Sequence, residues 1–441
     1  MLKKIDYKKA APLIAIFLMW LLVFSFARPD FGDDSVRREA VLSEGAFSVW
    51  QTLQRGWSSR FIIEAIQMPF FLLSTSMFHW AFRIVNSAAF TLMSYALYQF
   101  SAWGRTKTVR YAALLSTFLF PISIFASAGW FVTSAVCLWP LSLGMYALVP
   151  VVKRLQGRTV EKHYAVTATL SIIIAANHEQ IGAMLVGFLG CIILYFLWKK
   201  ESPGALVFVF FVISALLLCY SLLAESNALR ETAEIRNSYP IFYAQSTLER
   251  LFNGFLATAL YLLSPETILI QVMCIVLAAV VAQKYSDPLI RIVGSIPALY
   301  FFLFGTLRDW TLTLFPALQQ FYVGTIDQMS LYNPDVLVSC AVTLFVYLLI
   351  GVILIFTMPT RPAGCLMAIT WAGGLATRLV IGLSPTLYAS TSRTFFITLA
   401  CILAILCVLI GEYERNCGSR TPLYLFILMS VGMWLYQFYI V

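Results

Sequence analysis

Gly204–Ala224 reads GALVFVFFVISALLLCYSLLA, twenty-one residues without a charge, set between Lys199-Lys200 and Glu225. A helix rises ~1.5 Å per residue, so this stretch covers the ~30 Å hydrocarbon core of a bilayer. Similar runs recur outward from it in both directions, from Ala11 to Val441. The whole chain is 60% hydrophobic and only 12% charged, against about 25% charged in a soluble domain. The repeated unit is therefore a membrane span. We expect an all-α polytopic membrane protein with about thirteen spans (range 11–14), near 11–27, 80–100, 109–126, 131–152, 163–177, 181–198, 204–224, 265–282, 288–306, 335–357, 364–382, 394–411 and 421–441. Residues 1–441 then form a single integral membrane domain with no separate soluble domain.

The charges orient these spans, because Lys and Arg collect in cytoplasmic loops close to span ends. With thirteen spans and a cytoplasmic N-terminus, all ten lysines fall inside, together with Arg105, Arg154, Arg158, Arg361 and Arg415. The outer side carries twelve arginines, fifteen carboxylates and no lysine. The net charge of +9 is thus a topology signal and does not imply a nucleic-acid partner. Residues 11–27 follow Lys3, Lys4, Lys8 and Lys9 and resemble a signal peptide. However, Ala27-Arg28-Pro29-Asp30 lacks a small-x-small cleavage site, so we expect an uncleaved first span.

The outer segments are expected at 28–79, 225–264 and 307–334. Phe61–Phe78 and Leu251–Leu263 are apolar but must lie outside without crossing. A crossing at 61–78 would carry Arg105, Lys107 and Arg110 to the wrong side. Glu64, Gln67 and Pro69 suit a helix lying in the interface. The nine cysteines all sit in spans or on the inner side, which argues against a disulfide framework. No CxxC or His/Cys cluster suggests zinc.

Three outer clusters hold the candidate chemistry. The loop after span one carries Gly32-Asp33-Asp34 and Gly56-Trp57-Ser58-Ser59-Arg60. Adjacent aspartates above a membrane raise each other's proton affinity unless a cation, a metal or water separates them. That suits a carboxylate that takes a proton from an acceptor hydroxyl. It is also compatible with a solvated turn in which Asp34 caps a helix starting near Ser35. The turn Asn177-His178-Glu179-Gln180 sets four polar side chains between two apolar runs, which is costly unless they line a cavity. His178 and Glu179 there suit a metal, a phosphate or a sugar hydroxyl. Third, Arg378 lies about one turn inside its span, and Ser384-Pro385 through Tyr388 and Arg393 follows. Arginine suits multidentate phosphate recognition, although an arginine at a span end also snorkels. Arg308–Asp309 reads as an interfacial pair, and Glu225–Arg250 contains an exposed helix.

The inside N-terminus, the first outer loop opening with an acidic pair, the interfacial segment before span two and the dozen or so spans resemble the GT-C glycosyltransferase superfamily. Gly32-Asp33-Asp34, Trp57-Ser58-Ser59-Arg60, His178-Glu179 and Ser384-Pro385…Arg393 look most like a bacterial branch of membrane proteins related to the O-antigen-modifying glucosyltransferases. Ser58-Ser59-Arg60 stands where Ser-Gly-Arg is expected. The resemblance implies a site on the extracytoplasmic face of the bacterial cytoplasmic membrane. It implies a polyprenyl-phosphate-linked sugar as donor, a cell-surface glycan or lipid-linked acceptor, and transfer with inversion. Asp33 or Asp34 is then the base. Arg378 and Arg393 neutralise the leaving phosphate, and His178, Glu179, Trp57, Arg60 and Tyr388 bind substrate. No cofactor is assigned. A divalent metal stays open, with Asp34, His178 and Glu179 as its ligands if one is used.

Two other classes share the many spans. A transporter or flippase places ionisable groups near the midplane, whereas here the spans are nearly free of them and the charges gather on one face. An O-antigen-type polymerase or ligase also works on lipid-linked glycan from outside, but it relies more on late arginine-rich loops than on an early acidic pair.

Overall fold

A computed structural model describes residues 7–101, 106–324, 330–416 and 420–441. Lys3, Lys4, Arg105 and Cys417 lie outside the described residues. The described residues are mostly helical, and none is in a strand. Among the described residues, eight helices are long and apolar enough to cross a membrane: Trp130–Leu155, Glu179–Trp198, Ala205–Leu223, Pro288–Thr306, Pro334–Thr357, Arg361–Leu383, Ser392–Asn416 and Thr421–Ile440. The apolar helices Ala10–Phe24, Phe61–Phe71, Tyr164–Ala176 and Ile268–Lys284 are shorter. The chain forms two compact units, one of residues 1–232 with 421–441 and one of 233–420. The even composition of the spans does not announce this division.

In the first unit, α1 (Tyr7–Phe24) leads into α2 (Asp33–Glu44), α3 (Ala46–Gly56), α4 (Phe61–Phe71) and α5 (Thr75–Phe100). Two acidic residues in the first turn of α2 sit at the favourable end of its dipole. Helix α4 has eleven residues, too few to cross the ~30 Å core. Ser74 then caps α5 by accepting from the Met77 N–H. The unit closes on Trp130–Leu155, which is 78% buried, whereas Ala205–Leu223 is 22% buried and presents most of its apolar surface outward. Ser134–Leu138 within the former helix is a π-helical segment. Phe131 and Trp139 on either side of it both pack on Phe70 of α4.

The span expected at 109–126 is not one helix. It consists of α6 (Lys107–Leu115) followed by two 3-10 turns, Ser116–Leu119 and Ile122–Ala126. Pro121 between the turns has no N–H to continue a ladder. Buried backbone freed by such a break must find partners elsewhere in the protein. Gln437 of Thr421–Ile440 supplies them, donating to the carbonyls of Phe118 (2.9 Å) and Phe120 (3.2 Å). Trp434 Nε1 donates to the Met19 carbonyl at 3.1 Å, so the last helix also ties down the first.

The second unit is built on Ser392–Asn416, 89% buried. The amphipathic helix Thr247–Leu262 begins with a capping box between Ser246 and Glu249 and packs on the turn Val380–Leu383. Gly254 makes that approach possible, since a Cβ there would lie 2.7 Å from the Leu379 carbonyl oxygen.

Candidate functional site

In the first unit, Gly32 and Gly129 bring the acidic pair against the start of Trp130–Leu155. Gly32 has φ +59 and Gly129 φ +133, values that disfavour a side chain. The Asp33 N–H donates to the Ala128 carbonyl at 2.7 Å. Asp34 Oδ2 accepts from the Phe131 N–H (2.9 Å) and Oδ1 from the Val132 N–H (2.8 Å). Asp34 therefore caps a helix, but one starting 96 residues downstream (130 minus 34) instead of its own. Burial pushes the Asp34 carboxyl up to about 6, against the pull of these two N–H groups. Asp34 is 0% exposed. Asp33 is half-buried, and its carboxylate has no hydrogen bond or ion pair among the described residues. A groove of about 530 Å³ on this side of α2 is bordered by Asp30, Asp34, Ser35, Arg38, Glu39 and Ser43. Asp30 is engaged by His79 at 2.7 Å.

The next layer is a chain of paired charges. Arg60 Nε lies 2.7 Å from Glu179 Oε2, and Ser59 donates to Glu179 Oε1 at 3.2 Å. His178 Nδ1 and Arg230 Nη1 stand 3.7 and 3.8 Å from the same carboxylate. Asn177 Oδ1 accepts from the Ile62 and Ile63 N–H groups at 3.0 and 3.1 Å, so the polar turn caps α4. Glu64 is 1% exposed. It accepts from Gln54 at 2.8 Å and lies 3.7 Å from Arg37. Burial raises its carboxyl, opposed by Arg37 and Ser58.

The structure thus brings together Arg60, His178 and Glu179, with Ser59. Trp57 lies three residues from Arg60 and is 42% exposed. The described residues contain no group of three or more His, Cys, Asp and Glu that could hold an ion. Asp34 is committed to backbone N–H groups and Glu179 to arginine. Arg37, Glu64 and Arg230 are functional candidates that sequence reasoning missed. Glu64 passed as a mark of an interfacial helix and Arg230 as part of an exposed one. A carboxylate within the otherwise apolar run 61–78 was the available signal.

In the second unit, Arg378 is 2% exposed, and its Nε and Nη1 have no hydrogen-bond partner among the described residues. Its guanidinium lies 4.5 Å from the Phe395 ring centroid, and Phe395 stacks on Tyr261 at 3.8 Å. Tyr388 meets Tyr239 edge-on at 4.6 Å and is 37% exposed. Arg393 is half-buried, and no hydrogen bond or ring contact among the described residues joins it to Arg378 or Tyr388. No protein-family model, curated protein or solved structure matches the chain.

Proposed function

We propose that the chain is a glycosyltransferase of the bacterial cytoplasmic membrane, with about thirteen spans and an extracytoplasmic active site. It moves a sugar from a polyprenyl-phosphate donor to a cell-surface glycan or lipid-linked acceptor, inverting the anomeric carbon. The acceptor hydroxyl gives its proton to a carboxylate of the Asp33–Asp34 pair as its oxygen bonds to that carbon. The bond from carbon to phosphate oxygen breaks, and its electron pair leaves on the polyprenyl phosphate.

Arg378 carries this reading. Its guanidinium is buried and has no ion pair among the described residues, whereas the other buried carboxylates and the buried lysine have partners: Glu64, Lys153 and Glu412 in ion pairs and Asp34 at two backbone N–H groups. A buried unpaired charge is costly, and an arriving phosphate offsets that cost. Charge that develops on the leaving phosphate in a poorly hydrated site is stabilised most by such a preplaced cation. Arg393 and Tyr388 assist at the phosphate. In the first unit, Trp57 offers a sugar-stacking face, and Glu179 fixes Arg60 and His178 around the substrate.

The test compares cell-envelope glycans, by mass spectrometry, from cells with and without the gene. Loss of one hexose-sized mass from a surface polymer supports the transferase. A shortened or uncapped polymer would favour a polymerase or ligase, and an unchanged profile would favour a transporter.

A further inference from the structure

We infer that the two adjacent aspartates divide the work: Asp33 takes the acceptor's proton, and Asp34 is a positioning residue that locks the loop holding it. The inference deepens the transferase reading above and rests on it.

A general base must come within ~2.6–3.2 Å of the hydroxyl it deprotonates. Asp34 is 0% exposed. Both of its oxygens already accept backbone N–H groups, from Phe131 and Val132. To reach an acceptor it would have to abandon two buried N–H groups, at ~1–3 kcal/mol for each one left unsatisfied. Asp33 carries no such commitment. Its side chain is half-buried and unpaired among the described residues.

The backbone around Asp33 is held on both sides. Its own N–H is bonded to the Ala128 carbonyl, and the next side chain is clasped to the helix at 130. The clasp is tight. A Cβ on Gly32 would lie 2.6 Å from the Ala128 carbonyl oxygen, and one on Gly129 would lie 2.6 Å from Asp34 Oδ1. Asp33 then takes the hydroxyl proton while the acceptor oxygen displaces the polyprenyl phosphate as described above. Asp34 keeps its proton inventory unchanged through the step.

The experiment returns Asp33→Asn, Asp33→Glu, Asp34→Asn and Gly129→Ala to cells lacking the gene. It reads glycan modification per folded molecule, together with the unfolding midpoint of each purified protein in detergent. Asp33→Asn should lose at least ~100-fold in modification, the scale of general-base catalysis, at an unchanged midpoint. Asp33→Glu should recover a measurable part of it. Asp34→Asn should lose roughly tenfold per folded molecule, through misplacement of Asp33. Gly129→Ala should do the same and also lower the midpoint, although Gly129 has no side chain to react. Modification retained in Asp33→Asn would overturn the inference, as would its abolition in Asp34→Asn at a wild-type midpoint. An unchanged glycan profile on deleting the gene would remove the transferase reading itself, an outcome distinct from either.

Discussion

Arg60 and Arg378 are both guanidiniums placed where an apolar helix meets a polar segment, and the protein treats them differently. Arg60 shares Glu179 with Ser59, His178 and Arg230, so its charge is compensated within the first unit. Arg378 in the second unit has an aromatic ring beneath it and no carboxylate paired with it among the described residues. A compensated buried pair is strongly destabilising to break and contributes little net stability. An uncompensated cation costs stability until an anion arrives. The first arrangement holds a loop in place, and the second leaves a cation that, on the proposed reading, receives the donor's phosphate.

The sharpest way to break this contrast is Arg378→Met. It should reduce glycan modification by roughly 10²–10³-fold, as removal of one preplaced charge stabiliser does. The unfolding midpoint in detergent should stay the same or rise. A clear fall would mean that Arg378 has a structural partner, and the two arginines would then be alike. A smaller effect is expected at the pair. Arg60→Ala should destabilise by roughly 3 kcal/mol, the low end for a broken buried pair, since Arg60 and Glu179 keep 22% and 18% of their side-chain surface exposed. Thermal unfolding of Arg60→Ala, Glu179→Gln and the double variant reads this. The double should cost less than the sum of the singles, and strict additivity would dissolve the pair.

Smallest is the pH dependence from Asp34, whose charged neighbours are Asp33 and Arg37. Its carboxyl stands at about 6 in the folded chain, against an ordinary 3.8. Folding therefore favours the protonated form. The stability this contributes is complete below about pH 3.8 and is lost as pH rises through about 6. Wild type should gain on Asp34→Asn by roughly 1 kcal/mol per pH unit on acidification below about 6, read as diverging unfolding midpoints between pH 7 and 5. A constant difference would show that burial does not govern this carboxyl.

The sequence made the helical membrane class legible because lipid demands long uncharged runs, and Gly204–Ala224 satisfies that demand unaided. It also marked Arg60, His178, Glu179 and Arg378, since polar residues among apolar ones stand out locally. What it could not carry were partnerships across long separations. Nothing near Asp34 indicates that its oxygens serve Phe131 and Val132, and nothing near Arg230 points to Glu179. The break in 109–126 had a visible cause in Pro121. Membrane helices tolerate proline when a neighbour satisfies the freed backbone, and that neighbour lay more than three hundred residues away.

That neighbour also sets an order of events. The ribosome delivers residues 421–440 only after the entire second unit has been made, yet Gln437 and Trp434 serve carbonyls at 118, 120 and 19. During synthesis the first unit waits with those acceptors unmet. A nascent chain stalled anywhere between 233 and 420 should accordingly carry a protease-sensitive first unit, and that sensitivity should vanish within one step when the final helix inserts.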